Sequence, residues 1–343
     1  MYLICFGTRP ELIKLISLIH KFKENNIQFK TLFSGQHENL IKDFYKYIDE
    51  PDYVFTNIME DGQTLNHLSS KILLQSNQLF IDNTFSRVIV QGDTTTAYSL
   101  ALSAFHFQIP VIHLEAGLRT NDKYSPFPEE INRRLITQIA SIHLCPTKMS
   151  IENLQKEQIT SGVHLVGNTV VDVYKYIFKN TVPSNKIQGI IDNCKYYIVV
   201  TLHRRENRGE KMFSMWNQLN TLSIKYKFIY ITHPSLPDSK NILNNTNIIL
   251  LDPQDYESMV HLICNSKGII TDSGGLQEEA VCANKRVLVC RDTTERPETI
   301  DCGLGKLIDT HIRENIWFLD EEFFDVVENP YGNNVCEKIV SYI

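Results

Sequence analysis

Short runs rich in β-branched and aromatic residues alternate with longer amphipathic segments along almost the whole 343-residue chain, and this alternation restricts the fold more than any other feature. The first series is YLICF (2–6), FKTLF (29–33), RVIVQ (87–91), PVIHLE (110–115), IHLCP (142–146) and VHLVG (163–167). The second is YYIVVTL (196–202), FIYIT (228–232), NIILL (247–251), GIITD (268–272) and RVLVC (286–290). These runs lack strict apolar–polar alternation, as strands covered on both faces do. Between them lie helical patterns such as ELIKLISLIHKF (11–22), where apolar side chains recur three and four residues apart. Strand–helix–strand repetition of this kind implies parallel sheets with right-handed crossovers. Two series predict two doubly wound α/β domains, residues 1–175 and 195–325, with a junction at 175–195 where Pro183 and Gly189 interrupt the rhythm. At 43% apolar and 22% charged residues, the chain has the composition and length for two such cores. The tail from about 310 reads as helical or irregular.

A net charge of −6 gives no support for a nucleic-acid binder or a basic membrane-surface protein. The eight cysteines (5, 145, 194, 264, 282, 290, 302 and 336) include no C-x-x-C pair, so neither a zinc site nor a redox dithiol is indicated. Cys5 and Cys290 sit in apolar runs and are expected as buried, reduced thiols. No apolar run approaches the roughly 20 residues of a membrane span, and a strand starting at residue 2 leaves no room for a signal peptide. The expectation is a cytoplasmic protein with no metal and with neither nucleic acid nor membrane as partner.

In open parallel sheets, ligands bind beyond the carboxyl ends of the strands. Polar, glycine-bearing segments recur there: GTRPE, QGDTTT, EAGLRT, HRREN and DSGG. If the two sheets face each other, these edges line one cleft. Ser273, Gly274 and Gly275 end a strand and open a helix, where backbone N–H groups and the positive helix end suit a diphosphate. Glu279, on the same helix, suits ribose hydroxyls, and Arg296 in RDTTERPE suits phosphate oxygens. GTRPELIK places Pro10 at the first helical position, Arg9 toward the cleft and Lys14 one turn along. Asp93, Glu115, Glu129 and His203 lie at or beside strand ends, where a carboxylate is costly unless paired or used. Each also has a plain structural reading. Asp93 and its threonines can cap the next helix, Glu129 and Glu130 can cap theirs with Arg133 and Arg134 as helix-face ion pairs, and His113 and His143 read as core histidines. Three acids and a histidine converging on a phosphate-binding edge favour proton transfer.

Together the segments resemble the non-hydrolysing UDP-N-acetylglucosamine 2-epimerases of bacteria. The resemblance is carried by GTRPE (7–11), GQHE (35–38), QGDTTT (91–96), HLEAGLRT (113–120), YSPFPEEINRR (124–134) and VGNTVVD (166–172). It continues through HRREN (203–207), LDPQDY (251–256), TDSGGLQEEA (271–280) and RDTTERPE (291–298). It implies the GT-B fold of two Rossmann-like domains, with residues 326–343 packing back on the N-terminal domain, and a homodimer. It assigns the nucleotide and diphosphate to Arg9, Gln254, Met259, Ser273, Gly274, Gly275, Glu279 and Arg296, and the sugar and reaction centre to Lys14, Asp93, Glu115, Glu129 and His203. Gln36, His37, Gln63 and Arg204 fit a second, activating UDP-sugar site, while Asn39 departs from that pattern. Leu202, PSLP (234–237) and Met259 also depart from the family's usual wording.

The implied reaction is elimination of UDP to 2-acetamidoglucal and its re-addition, inverting carbon 2 of a UDP-linked sugar for polysaccharide biosynthesis. No NAD or other cofactor is needed, because no hydride moves. Four alternatives stay open on the same architecture: a UDP-linked 2-acetamido or 2,3-diacetamido uronate as substrate, a hydrolysing 2-epimerase, a GT-B glycosyltransferase and, disfavoured by the intact set of ionisable residues, a noncatalytic UDP-sugar sensor.

Overall fold

The computed structural model describes residues 1–36, 41–236, 238–321 and 327–343. The chain divides into two compact units. Unit 1 is Met1–Val173 with Tyr331–Ile343, and unit 2 is Tyr174–Pro330.

In unit 1, β1 (Tyr2–Phe6), β2 (Phe29–Phe33), β3 (Tyr53–Val54), β4 (Arg87–Gln91), β5 (Val111–Leu114), β6 (Ile142–Cys145) and β7 (Val163–Leu165) form a seven-stranded sheet in the order β3-β2-β1-β4-β5-β6-β7. In unit 2, β8 (Ile198–Thr201), β9 (Phe228–Ile231), β10 (Ile248–Leu251), β11 (Gly268–Thr271), β12 (Val287–Val289) and β13 (Gly305–Leu307) form a six-stranded sheet in the order β10-β9-β8-β11-β12-β13. Every pairing is parallel. Each run read from the sequence forms a strand. The short edge strands β3 and β13 lie outside those runs.

The core follows from the strand composition. Leu3, Ile4, Val88, Ile89 and Val90 in unit 1, and Ile198, Val199, Val200, Ile269 and Ile270 in unit 2, are wholly buried. Burial of such a side chain stabilises the fold by about 1.5–3 kcal/mol. The helix Arg9–Glu24 is started by Thr8 in a capping box with Glu11, and it buries Leu12, Leu15, Ile16, Ile19 and Phe22. Pro10 falls one place further in than expected, at the second helical residue, where its missing N–H is still harmless. The core histidines are as the sequence suggested: His113 and His143 pair across β5 and β6 and are buried. Desolvation pushes them down to about 3 and about 4, so both rings are neutral. Cys5 in β1 and Cys290 just after β12 are buried as well.

The stretch expected as a junction, 175–195, is largely helical. The helices Val170–Asn180 and Asn185–Asn193 occupy it, and the division between units falls after Val173, inside the first of them. The terminal helix Val335–Tyr342 belongs to unit 1. There Lys21 Nζ meets Glu337 Oε2 at 2.9 Å, Cys336 N donates to Asp172 Oδ2 at 2.7 Å, and Tyr342 stacks on His164 with centroids 4.2 Å apart. Gly167, at φ +103°, allows this return, since a Cβ there would lie 2.4 Å from Tyr331 O. Among the described residues no helix is long and apolar enough to cross a membrane.

Candidate active site

Each sheet reverses its strand order once, between β1 and β4 in unit 1 and between β8 and β11 in unit 2. The loops leaving those neighbours diverge to opposite faces, which opens a crevice at the strand ends. The candidate residues cluster around these two points.

In unit 1 the turn after β1 packs tightly on the loop after β4. A Cβ on Gly7 would come within 2.2 Å of Thr96 Oγ1 and 2.4 Å of Ser34 Oγ, so only glycine fits. Glu115 follows β5 with a left-handed φ of +65°. Its Oε1 pairs with Lys14 Nζ at 2.6 Å and accepts from Asn168 Nδ2 at 3.2 Å, while Oε2 accepts from Gln91 Nε2 at 2.6 Å. The Lys14 and Glu115 side chains are only 13% and 8% exposed, so each charge depends on the other. Gln91, Asn168, Thr169 and Ile339 line a cavity beside Glu115, which makes the terminal helix part of its wall.

Asp93 stands on the next loop. Arg133 holds Asp93 Oδ2 through Nε at 2.8 Å and Nη2 at 2.7 Å, and Asn132 Nδ2 holds the Asp93 carbonyl at 2.9 Å. The helix cap is supplied by Thr94, which accepts from Ala97 N at 3.0 Å, so Asp93 itself is not the cap. The position of Gly92 Cβ would be 3.6 Å from Glu115 Oε2, which places the Asp93 and Glu115 loops side by side. Glu129 opens the helix Glu129–Ile139 and is half-buried. Behind it, wholly buried Glu130 takes Arg133 at 3.3 Å and Arg134 at 3.1 Å, and Glu157 takes Arg119 and Arg134 at 2.8 Å each. Arg9 lies over the Phe44 ring at 5.4 Å. Gln36 accepts from Thr96 Oγ1 at 2.8 Å, next to the β1 turn, whereas Gln63 bonds within its own turn to Glu60 N. His37 lies outside the described residues.

In unit 2 the organising group is Asp272, which is completely buried. It accepts from His203 N at 3.0 and 3.1 Å, Arg204 N at 2.9 Å and Asn207 Nδ2 at 3.0 Å, tying the loop after β8 to the end of β11. The His203 ring stacks on His233 with centroids 5.1 Å apart. Burial lowers its pKa; nearby Asp272 opposes this, and His233 and Arg204 add to it. Next along, Ser273 precedes the helix Gly274–Cys282 without a side-chain cap, leaving its first-turn N–H groups available to an anion. Arg296 flanks that helix end, with Nε 2.6 Å from Glu278 Oε1 and Nη1 2.6 Å from Glu295 Oε1. Burial alone would raise Glu295, but the Arg296 and Arg291 guanidiniums overcome it and hold the carboxyl at about 2. A side chain at Gly274 would push this ion pair aside, because a Cβ would stand 2.7 Å from both Arg296 Nη1 and Glu295 Oε1. Glu279 is half-buried on the same helix. Gln254 follows β10 and donates to Asp252 O at 2.6 Å, and Met259 packs partly into the core beneath the helix Tyr256–Cys264. Arg204 Nη2 lies 3.9 Å from Glu295 Oε1. Among the described residues no three His, Cys, Asp or Glu side chains gather as a metal-holding group.

A family model described as UDP-N-acetylglucosamine 2-epimerase matches residues 20–343. The chain belongs to the UDP-N-acetylglucosamine 2-epimerase family. It is 39% identical to a UDP-N-acetylglucosamine 2-epimerase of Campylobacter jejuni, over 99% of this chain and 96% of that one. Among solved structures, the UDP-GlcNAc 2-epimerase of Neisseria meningitidis bound to UDP-GlcNAc superposes with a TM-score of 0.88 at 34% identity, covering 99% and 98% of the two chains. The Methanocaldococcus jannaschii UDP-GlcNAc 2-epimerase in complex with UDP-GlcNAc and UDP does so at 0.86 and 31%, covering 99% of each. The two parallel sheets thus have the GT-B architecture of this epimerase family.

Sequence reasoning passed over several groups that hold the candidate residues in each unit: Glu11 and Arg133, as the partner of Asp93, in unit 1, and Asp272, Glu278 and Glu295 in unit 2. One signal was present for Asp272, a carboxylate closing an apolar strand. Thr94 for Glu11, Asp93 for Arg133 and Arg296 for Glu278 come from 18 to 83 residues away in sequence, and spacing alone does not reveal such pairs; the partners of Glu295, Arg291 and Arg296, lie within four residues of it.

Proposed function

We propose that this protein interconverts UDP-N-acetylglucosamine and UDP-N-acetylmannosamine without hydrolysis. The C2 hydrogen of the sugar is not acidic in the ground state. It becomes removable as the C1–O bond to UDP breaks and positive character grows at C1. Loss of both gives 2-acetamidoglucal and UDP. Proton delivery to the opposite face of C2, with return of UDP to C1, gives the other epimer. In this reading Ser273, Gly274, Gly275 and Arg296 take the diphosphate and stabilise charge on departing UDP. Arg9, Gln254, Met259 and Glu279 complete the nucleotide contacts. Lys14, Asp93, Glu115, Glu129 and His203 serve the sugar and the proton transfers.

The observation that carries the reading is the pair of adjacent loops after β4 and β5. Each presents a carboxylate held by a cation, Asp93 by Arg133 and Glu115 by Lys14. Proton removal from one face of a carbon and delivery to the other need two acid–base groups held in fixed places, one to accept the proton and one to give it. We further propose cytoplasmic residence, a homodimer, and regulation through Gln36, His37, Gln63 and Arg204. Fractionation, sedimentation and rate curves against UDP-N-acetylglucosamine test these.

The deciding experiment is incubation with UDP-N-acetylglucosamine in heavy water, with C2 followed by NMR. Solvent deuterium at C2 of a UDP-linked manno product supports the proposal. Release of free N-acetylmannosamine would instead mean hydrolysis. No exchange with this substrate, but exchange with a UDP-linked 2,3-diacetamido uronate, would change the specificity.

A further inference from the structure

Glu11 is a costly residue to keep where it is. It is 4% exposed, and among the described residues its four hydrogen-bond donors are all uncharged. Burial drives its carboxyl up to about 7 despite those donors. Three of the bonds are local: Oε2 accepts from Gly7 N at 3.0 Å, Thr8 N at 2.7 Å and Thr8 Oγ1 at 2.8 Å. A capping box accounts for bonds of that kind, and an exposed glutamate makes them equally well. The fourth is different. Oε1 accepts from Thr94 Oγ1 at 2.6 Å, across 83 residues, from the residue next to Asp93.

Thr94 is doubly engaged. Its hydroxyl donates to Glu11 and accepts from Ala97 N at the start of the helix Thr95–His106. That fixes its rotamer and backbone together. On the other side, Asn132 holds the Asp93 carbonyl and Arg133 holds Asp93 Oδ2. The Asp93 peptide is therefore clamped from both sides, and one clamp runs to the turn that carries Arg9.

We propose that Glu11 is a positioning residue, which fixes the Asp93 loop to the β1 turn and so sets where the Asp93 carboxylate stands, without itself touching substrate. The consequence for catalysis rests on the function proposed above; the tether itself does not.

Two measurements separate them. The first is hydrogen–deuterium exchange by mass spectrometry on the free protein, over the peptide containing residues 92–97. Glu11→Ala lies far from this peptide in sequence and leaves the Thr94–Ala97 cap intact, yet it should speed exchange there. Wild-type exchange in Glu11→Ala overturns the tether, whether or not the protein is an epimerase. The second is C2 exchange kinetics. Glu11→Ala and Thr94→Ala should each lower kcat by between about tenfold and a hundredfold, the scale for a misplaced catalytic group, with KM within about twofold. The double variant should be no worse than the worse single one, because both cut the same link, and Thr94→Ser should restore most of the rate. Additive losses, or a fall in kcat matched by a rise in KM, overturn the positioning role. Should Glu11→Ala not fold, Glu11→Gln takes its place, with a smaller effect expected in the same direction. A wild-type protein that exchanges no C2 hydrogen removes the function reading, and the exchange measurement on residues 92–97 then decides the tether alone.

Discussion

Replacing Gly274 and Gly275 separately by alanine tests the proposed diphosphate site, because the two adjacent glycines differ sharply in what surrounds them. A Cβ on Gly274 would lie 2.7 Å from Arg296 Nη1, 2.7 Å from Glu295 Oε1 and 3.2 Å from Arg296 Cζ; on Gly275 nothing lies within 4 Å. In Gly274→Ala the guanidinium must retreat by roughly 0.7 Å to reach ordinary contact distance. It is gripped by Glu278 and Glu295, whose side chains are 2% and 7% exposed. Abandoning both partners would leave buried carboxylates short of a cation, at a cost of about 3–5 kcal/mol. A strained compromise that keeps the bonds costs about 1–3 kcal/mol. The cheaper response wins, so about 2 kcal/mol of stability should be lost, with a displaced Arg296. Gly275→Ala meets no neighbour and should melt within about 0.5 kcal/mol of the parent. Its new methyl would nevertheless stand before the helix N–H groups offered to the ligand. Thermal melting and calorimetric titration with UDP should then give two patterns. Gly274→Ala loses both stability and UDP affinity, and Gly275→Ala loses affinity alone, by about tenfold or more. A Gly274→Ala variant that melts like the parent, or a Gly275→Ala variant that binds UDP unchanged, refutes this account of the helix end.

Gly167→Ala would drive a methyl into Tyr331 O, at 2.4 Å, and Val335 Cγ2, at 2.8 Å; limited proteolysis should then release the segment after Tyr331 faster, while an unchanged digestion pattern counts against the packing described. Arg133→Met leaves Asp93 and the wholly buried Glu130 without a shared cation, so urea unfolding should show a loss of about 3 kcal/mol and C2 exchange should fall more than tenfold; Arg133→Lys, which keeps charge but not the fork, should lie between. Burial pushes the Glu11 carboxyl from its ordinary 4.5 up to about 7 in the folded state, so its contribution is full below pH 4.5 and is lost as pH rises through about 7. Removing that ionisation in Glu11→Gln should therefore raise stability relative to the parent more at pH 8 than at pH 5, by at most about 3 kcal/mol, and an equal difference at the two pH values would contradict the burial argument.

What could be read from the sequence and what could not divides along physical lines. Strands buried on both faces announce themselves as unbroken apolar runs, which is why β1, β4, β8 and β11 were plain. Two of the four edge strands, β3 and β13, were not. β3 has two residues and β13 is Gly-Lys-Leu, so neither carries enough apolar surface to register. The loops of the site were visible because glycine and charge interrupt the pattern at strand ends. Local partners were visible too: Glu130 does pair with Arg133 and Arg134 on one helix face. What the sequence does not show is that Arg133 spends its fork on Asp93, 40 residues away. A guanidinium has enough donors for both, and only the packing of the helix Glu129–Ile139 against the helix Thr95–His106 brings the second acceptor within reach.

The same physics explains why the carboxylates that sequence reasoning overlooked sit where they do. A parallel sheet that reverses its order leaves two neighbouring strand ends whose backbones turn away to opposite faces. N–H groups at such turns have no strand partner and must be satisfied by something buried. A carboxylate meets that need well, since one oxygen can accept from several donors at once. Glu11 does this at the β1–β4 reversal and Asp272 at the β8–β11 reversal, each accepting two backbone N–H bonds or more together with a side-chain donor. Each fixes the backbone beside a residue proposed to act on the sugar, Asp93 in one unit and His203 in the other. The buried acid thus follows from the topology, and the functional residue gains its fixed position from the buried acid. An enzyme built this way keeps its catalytic groups on loops while giving them the rigidity of the sheet.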